Sequence, residues 1–290
     1  MIDGVATPLQ PVTFSGAMTP QLTSLSTRFA SVKGGDSITF TGTGFSATAK
    51  TTVLIDNRAC TVTTQTTTTI TCTTANKPYV KDTPKLEIQI AGVGNVATMG
   101  HLVTYIYRWS DPDTWGQGGD SPPQDGDPVS IPKGQHLLFD IDVGPKLSFV
   151  NIEGSLIFPP HPTDANHVRT FDAHYVLVKG GRMEVGTETH RYTSKIVITM
   201  WSTKYDPKIP IFGNKVIGVN YGSLDMHGVK RSMTWTMLGA TANIGATSIT
   251  LLPMTGGVVL DWKVGEEIVI APTGYSGREA EQRTIASITG

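Results

Sequence analysis

Three short runs in this chain share a layout that few folds can use: Glu153-Gly154-Ser155-Leu156-Ile157-Phe158, Gly180-Gly181-Arg182-Met183-Glu184-Val185 and Tyr221-Gly222-Ser223-Leu224-Asp225-Met226. In each, a glycine precedes alternating apolar residues, and the shared glycines stand 27 and then 41 residues apart. A spacing of roughly 20 to 30 residues suits successive coils of a β-solenoid, since each coil needs two or three short strands and the corners between them. Glycine at such a corner predicts a turn with positive φ, and the alternation after it points one face into the coil. The wider second gap predicts an inserted loop over Trp201 to Pro210.

Ahead of the repeats, Gln21 to Tyr107 reads as short β-rich runs separated by turn signals. Examples are Ser37 to Thr41, then Gly42 to Gly44, then Val53 to Ile55, then Asp56 and Asn57. Regular punctuation of this kind predicts an immunoglobulin-like sandwich of about seven strands. Composition agrees, because only 16% of residues are charged while glycine (31) and proline (18) are abundant. The deficit falls on residues that stabilise exposed helix faces. Only Gly277 to Arg283 has a helical composition, and it is short. At 290 residues the chain has room for two ordinary cores.

The two cysteines, Cys60 and Cys72, each sit in an alternating Thr/Val/Ile run that can form one arm of a hairpin. They can bridge neighbouring strands, which requires an oxidising compartment; two buried free thiols are the other reading. The run Thr61 to Thr74 holds ten threonines. Clustered hydroxyls invite a glycosylated stalk, but Val62 and Ile70 fit a two-residue alternation and predict strand with threonine on the outer face.

A formal charge of −1 with no basic tract gives no electrostatic footprint for nucleic acid or an anionic lipid surface. No apolar run approaches a bilayer span, and Met1 to Gln10 lacks the pattern of a secretion signal. Both ends read as cut, the far one inside the strand-like Thr284 to Gly290.

The residues Gly34-Gly35-Asp36, Ile38 to Phe45, Val53 to Asp56, Cys60 and Ile70 to Thr74 resemble an IPT/TIG domain, with cysteines like those of its extracellular members. From Trp109 and Trp115 onward the chain resembles the eight-glycine (G-eight) domain. The match runs through Gly126 to Pro132, Gly134, Asp140, Gly154 to Leu156, Gly180 to Arg182, Val185 to Glu188 and Leu224 to Gly228. Asp261 to Glu266 extend the likeness. That order resembles the fibrocystin-like family, very large single-pass surface proteins.

The resemblance implies an all-β fold, an IPT/TIG sandwich followed by a G-eight domain leading into a right-handed parallel β-helix. The expected divisions are an N-terminal segment at 1–19, IPT/TIG at 20–107, G-eight at 108–236 and the start of the following β-helix at 237–290. It implies an extracellular, cell-surface ectodomain, the cilium being one such surface, that acts in recognition, adhesion or scaffolding. The partner would be an extracellular protein or glycan, with no nucleic acid, no membrane contact within this stretch and a membrane-anchored parent.

The alternative is a carbohydrate-active protein of the cell-surface hyaluronidase type, which binds or depolymerises hyaluronan. Its best acid–base cluster is Asp225, His227 and Arg231, the first two projecting from one face of a strand. A corner histidine bonded to a backbone carbonyl would look the same. The hyaluronidase relatives carry an extra domain after the tryptophan matching Trp235, whereas here Asp261 follows closely. No cofactor is expected, though calcium could be held by Asp111, Asp113, Asp125 and Asp127, with Asp120 beside them; turn chemistry explains these aspartates equally. His161, His167, Asp172 and His174 are metal-ligand types in a loose spacing. Of Trp201, Trp235 and Trp262, possible sugar-stacking rings, Trp201 is the one expected to be exposed.

Overall fold

The computed structural model describes residues 19–77, 84–116, 121–253, 256 and 259–289. The expected N-terminal segment therefore lies, except for residue 19, outside the described residues, and so does Asp120. The fold is all-β. Helix among the described residues is confined to short 3-10 turns at Pro112–Thr114 and Gly277–Glu279. The helical composition of Gly277 to Arg283 yields only the second of these turns, because seven residues cannot offset the cost of helix nucleation. Its second half instead finds backbone partners as a strand.

Contacts divide the chain into two compact units, residues 1–228 and 229–290. The first opens with nine strands, two more than expected: β1 (Gln21–Leu25), β2 (Phe29–Ser31), β3 (Ser37–Thr43), β4 (Thr51–Ile55), β5 (Arg58–Gln65), β6 (Thr69–Thr74), β7 (Leu86–Ile90), β8 (Gly94–Asn95) and β9 (Thr104–Arg108). Seven of them form a sheet in the order β1-β3-β6-β5-β4-β7-β8. The Leu22 N–H donates to Ala97 O (2.9 Å) and the Ala97 N–H to Pro20 O (2.8 Å), so the sheet curls until its ends meet. Strict alternation fills the interior: β3 buries Ile38 and Phe40, β4 buries Val53 and Ile55, and β7 buries Leu86, Ile88 and Ile90. The threonine run is strand, as expected, with Thr61, Thr63 and Thr64 exposed.

Cys60 on β5 and Cys72 on β6 form a disulfide across these neighbouring strands, Cα to Cα 5.4 Å. Asp56 and Asn57, with φ of 50° and 61°, make the two-residue turn of the β4–β5 hairpin. The Asp56 carboxylate is buried, 3.2 Å from the buried ammonium of Lys77.

From residue 128 the chain winds into three-stranded coils. The first is β10 (Pro128–Ile131), β11 (His136–Leu138) and β12 (Val143–Leu147); the second is β13 (Phe149–Ile152), β14 (Ser155–Phe158) and β15 (Val168–Ala173). The third is β16 (Tyr175–Lys179), β17 (Arg182–Val185) and β18 (Lys195–Met200), and the last comprises β19 (Val216–Asn220) and β20 (Ser223–Met226). Every strand pairs in parallel with its counterpart one coil away, giving the sheets β10-β13-β16-β19 and β12-β15-β18 and the series β11-β14-β17-β20. This is a β-helix-like stack.

Its core is laddered. Leu137, Leu156 and Met183 lie in register, and Phe139, Phe158 and Phe171 meet at ring-centroid distances of 5.1–5.3 Å. Trp109 covers Phe139 at 4.8 Å, and Trp115 packs on Trp109 at 4.8 Å.

The repeat glycines sit at equivalent bends, but their reason differs from the one expected. Gly154, Gly181 and Gly222 do not have positive φ; in the second and third copies that role falls to the residue before, Gly180 at 74° and Tyr221 at 51°. What they supply is room. A Cβ on Gly154 would lie 2.2 Å from Gln135 O, one on Gly181 2.4 Å from Gly154 O, and one on Gly222 2.6 Å from Gly181 O. Backbones of successive coils touch there, and only hydrogen fits between them. The inserted loop occupies 201–215, longer than predicted by the residues up to Lys215.

The join between the sandwich and the coils is itself sheet. β9 pairs in parallel with β11, and β2 pairs in parallel with β9, so one six-stranded sheet runs β2-β9-β11-β14-β17-β20. On its outer face Phe29, Ile106, Leu138 and Ile157 form a small core of their own.

In residues 229–290, β21 (Glu267–Ile270) and β22 (Glu281–Thr284) pair antiparallel, and Leu238 bridges Leu251.

Candidate functional site

The outer face of the shared sheet carries the densest charge cluster of the first unit. The parallel register sets Leu138, Ile157, Glu184 and Asp225 side by side on β11, β14, β17 and β20. The row is therefore apolar where the sandwich begins and acidic at the last coil. Glu184 is buried, its side chain only 3% exposed. One of its oxygens is bonded by Arg28 Nη2, from the turn before β2, and the other lies 3.1 Å from Arg182 Nη2. Arg182 Nε is 2.8 Å from Asp225 Oδ2, an ion contact in which the N–H is not aimed for a hydrogen bond. The series Arg28, Glu184, Arg182, Asp225 thus alternates in charge, which is what allows a carboxylate to stay buried. Burial lowers the pKa of the nearby His190, and the Arg28 charge adds to that.

The three acid–base candidates take different partners. Asp225 belongs to this ladder. His227 follows β20, its Nδ1 3.4 Å from Arg191 Nη1, while its backbone O accepts from the Tyr192 N–H at 2.8 Å and its N–H donates to Val185 O at 2.9 Å. Arg231 lies in the second unit, where Nη1 donates to Asp261 O (2.8 Å) and Nη2 bonds Glu266. Sequence spacing placed Arg231 beside the other two, but the chain leaves the coil at Gly228 and Arg231 takes partners 30 and 35 residues ahead of it. That bond and the Lys263 N–H keep the Glu266 carboxyl below its ordinary pKa, the Lys263 bond being the larger cause.

Glu184, Arg28 and Arg182 were missed. The alternation Arg182-Met183-Glu184 does place both charges opposite a core methionine, but Arg28 stands 156 residues earlier and no local pattern announces it.

The calcium candidates do not converge. Asp111 and Asp113 both hold the Lys33 ammonium, at 2.8 and 2.7 Å, and raise its pKa by those bonds. Asp111 also caps the 3-10 turn through the Asp113 N–H. Asp125 accepts from the Lys146 N–H and Asp127 from the Gln124 N–H, both at 2.8 Å. Turn chemistry is what these aspartates perform. His161 and His167 do stack, ring centroids 4.4 Å apart, and His167 Nε2 meets Asp142 at 2.8 Å, which lowers the Asp142 pKa. His161 Nδ1 accepts from the Asp164 N–H (2.9 Å), and Asp172 and His174 stand elsewhere on β15 and at its corner. Among the described residues, no three His, Cys, Asp or Glu side chains form a metal-holding group.

Trp201 is exposed (42%), as expected, with Lys146 Nζ 4.3 Å over its ring. Trp235 is more exposed, at 73%, and Trp262 is half-buried with its Nε1 donating to Met233 O. A 280 Å³ cleft is lined by residues including Phe149, His174, Tyr175, Asp206, Pro207 and Lys208.

Comparison with known proteins accords with this architecture. The IPT/TIG domain profile matches residues 20–107, and the G8 domain profile matches 114–239. Human fibrocystin-L is 34% identical over 285 residues, 97% of this chain, and the chain spans 6% of that protein's length. A human cell surface hyaluronidase is 33% identical over 131 residues, 44% of this chain and 9% of its own. The solved extracellular region of plexin A4 aligns over 30% of this chain and 7% of its own at 23% identity, with a TM-score of 0.28, a likeness too small to carry an argument. With the two domains in the order of the fibrocystin-like proteins and the similarity running along almost all of its residues, the chain belongs to the fibrocystin-like family.

Proposed function

We propose that this chain is an adhesion or scaffold module of a large cell-surface protein, working outside the cell and without catalysis. The observation that carries the reading is the sheet shared by sandwich and coils, which joins two recognition-type folds without a flexible linker. A spacer that holds its faces at fixed angles needs such a joint, and the disulfide suits an oxidising compartment. No helix among the described residues is long and apolar enough to cross a membrane. A ciliary membrane is one surface on which the parent protein could stand. The partner would be an extracellular protein or glycan.

The hyaluronidase similarity supplies the competing reading. What weighs against it is that Glu184 is buried between two guanidinium groups and Asp225 is paired with Arg182, partners that suit a structural ladder. The test has two parts. Beads coated with the folded chain should adhere to extracellular-matrix surfaces, and beads carrying reduced, unfolded chain should not. Hyaluronan incubated with the chain should keep its length; shortening that disappears in Asp225→Asn would establish the enzyme instead.

A further inference from the structure

The loop 201–215 is long for a connection without secondary structure, and loops of that length in compact folds usually carry function. It is nonetheless tied down. Ser202 Oγ bonds His174 O, Tyr175 Oη donates to Pro207 O at 2.5 Å, and Asn214 Nδ2 donates to Thr203 O at 2.7 Å. Phe212 fills the space that a side chain at Gly218 would take. The Asp206 carboxylate, which also lines the cleft, accepts from the Thr203 N–H, and that backbone bond depresses its pKa.

What remains outward is aromatic and cationic. Tyr205 is 84% exposed with Lys204 Nζ 4.8 Å over its ring, and Trp201 lies under Lys146. Lys208 stands at the cleft beside Tyr175 and His174. Of the carboxylates nearby, Asp206 and Asp125 are occupied by backbone N–H groups, and Asp172, next to Lys146 in register, makes no ion pair.

We propose that this loop and cleft bind an acidic polysaccharide, with sugar rings stacking on Trp201 and Tyr205 while Lys146, Lys204 and Lys208 meet its carboxylate or sulfate groups. Flat apolar faces beside ammonium groups match a polymer that offers C–H faces and anions in alternation, whereas an acidic peptide offers the anions alone. The inference rests on the recognition reading above and names its partner class.

The test is surface plasmon resonance of the full chain over immobilised chondroitin sulfate, neutral dextran and poly-glutamate. Binding to chondroitin sulfate should weaken with added salt, and dextran should bind little. Trp201→Ala should weaken binding about tenfold, and Lys204→Ser with Lys208→Ser at least as much, with melting temperatures unchanged because all three side chains are at the surface. Should one variant misfold, the other decides. The proposal is overturned by no retention on chondroitin sulfate at low salt, by equal retention on poly-glutamate, or by variants that bind like the parent. Beads that adhere to matrix while chondroitin sulfate is ignored would sink this inference alone, whereas loss of bead adhesion would sink the recognition reading.

Discussion

At the scale of single residues, the coil is most sensitive where it has no side chain. A methyl group on Gly181 would meet backbone, not a side chain that can swing away: Gly154 O at 2.4 Å and Ile152 O at 2.5 Å. Gly181→Ala is therefore expected to cost about 3 kcal/mol, the upper end for overpacking. Gly180→Ala should cost only about 1 kcal/mol, since its φ of 74° is strained for alanine but the nearest atom is 4.0 Å away. Urea unfolding of the two variants, compared by midpoint at constant slope, checks that order. A reversed order would mean that φ, not close approach, selects glycine in the motif.

Between elements, the stabilising links are the disulfide and the ion ladder. Cys60 and Cys72 close a loop of 12 residues, so replacing both with alanine should lower stability by about 3 kcal/mol in the chain-entropy picture. Calorimetric scans of the variant and of the parent with and without reductant measure it; a variant that melts like the oxidised parent would show that the bridge contributes no stability. Arg28 reaches from the sandwich to Glu184 in the coils. Arg28→Ala leaves that buried carboxylate with Arg182 alone. The expected cost is about 2 kcal/mol, less than the roughly 3–5 for a fully orphaned buried charge, because one guanidinium remains and Arg28 is itself part-exposed. Glu184→Gln with Arg28→Ala should recover part of it, and a double-mutant cycle by thermal melting reads the coupling.

For the whole molecule, acid should act through imidazoles whose surroundings disfavour the charged form. Burial lowers the pKa of His136, a residue of β11, and of His190. Unfolded histidine takes up its proton near about pH 6.5, so as pH falls below that value the unfolded chain binds more protons than the folded one and stability drops. Above it the contribution is fully present. The melting temperature should thus decline between about pH 7 and about pH 5, and His136→Gln should flatten part of the decline. A profile unchanged by that substitution would show that His136 charges freely in the folded state.

Local pattern determined a good deal by itself. Alternation fixed the strands, because in an extended chain each residue's face follows from its parity. The glycine spacing announced stacked coils, and the cysteine-bearing hairpin arms announced their pairing, because these are short-range geometric demands. Tertiary structure alone decided that β2 and β9 continue the coil sheet, since such pairing uses backbone groups that every residue carries. It alone buried Glu184 under Arg28, drew Arg231 to Glu266 and gave Asp111 and Asp113 to Lys33. A charge takes whichever partner the fold brings near, and nearness in sequence does not choose it.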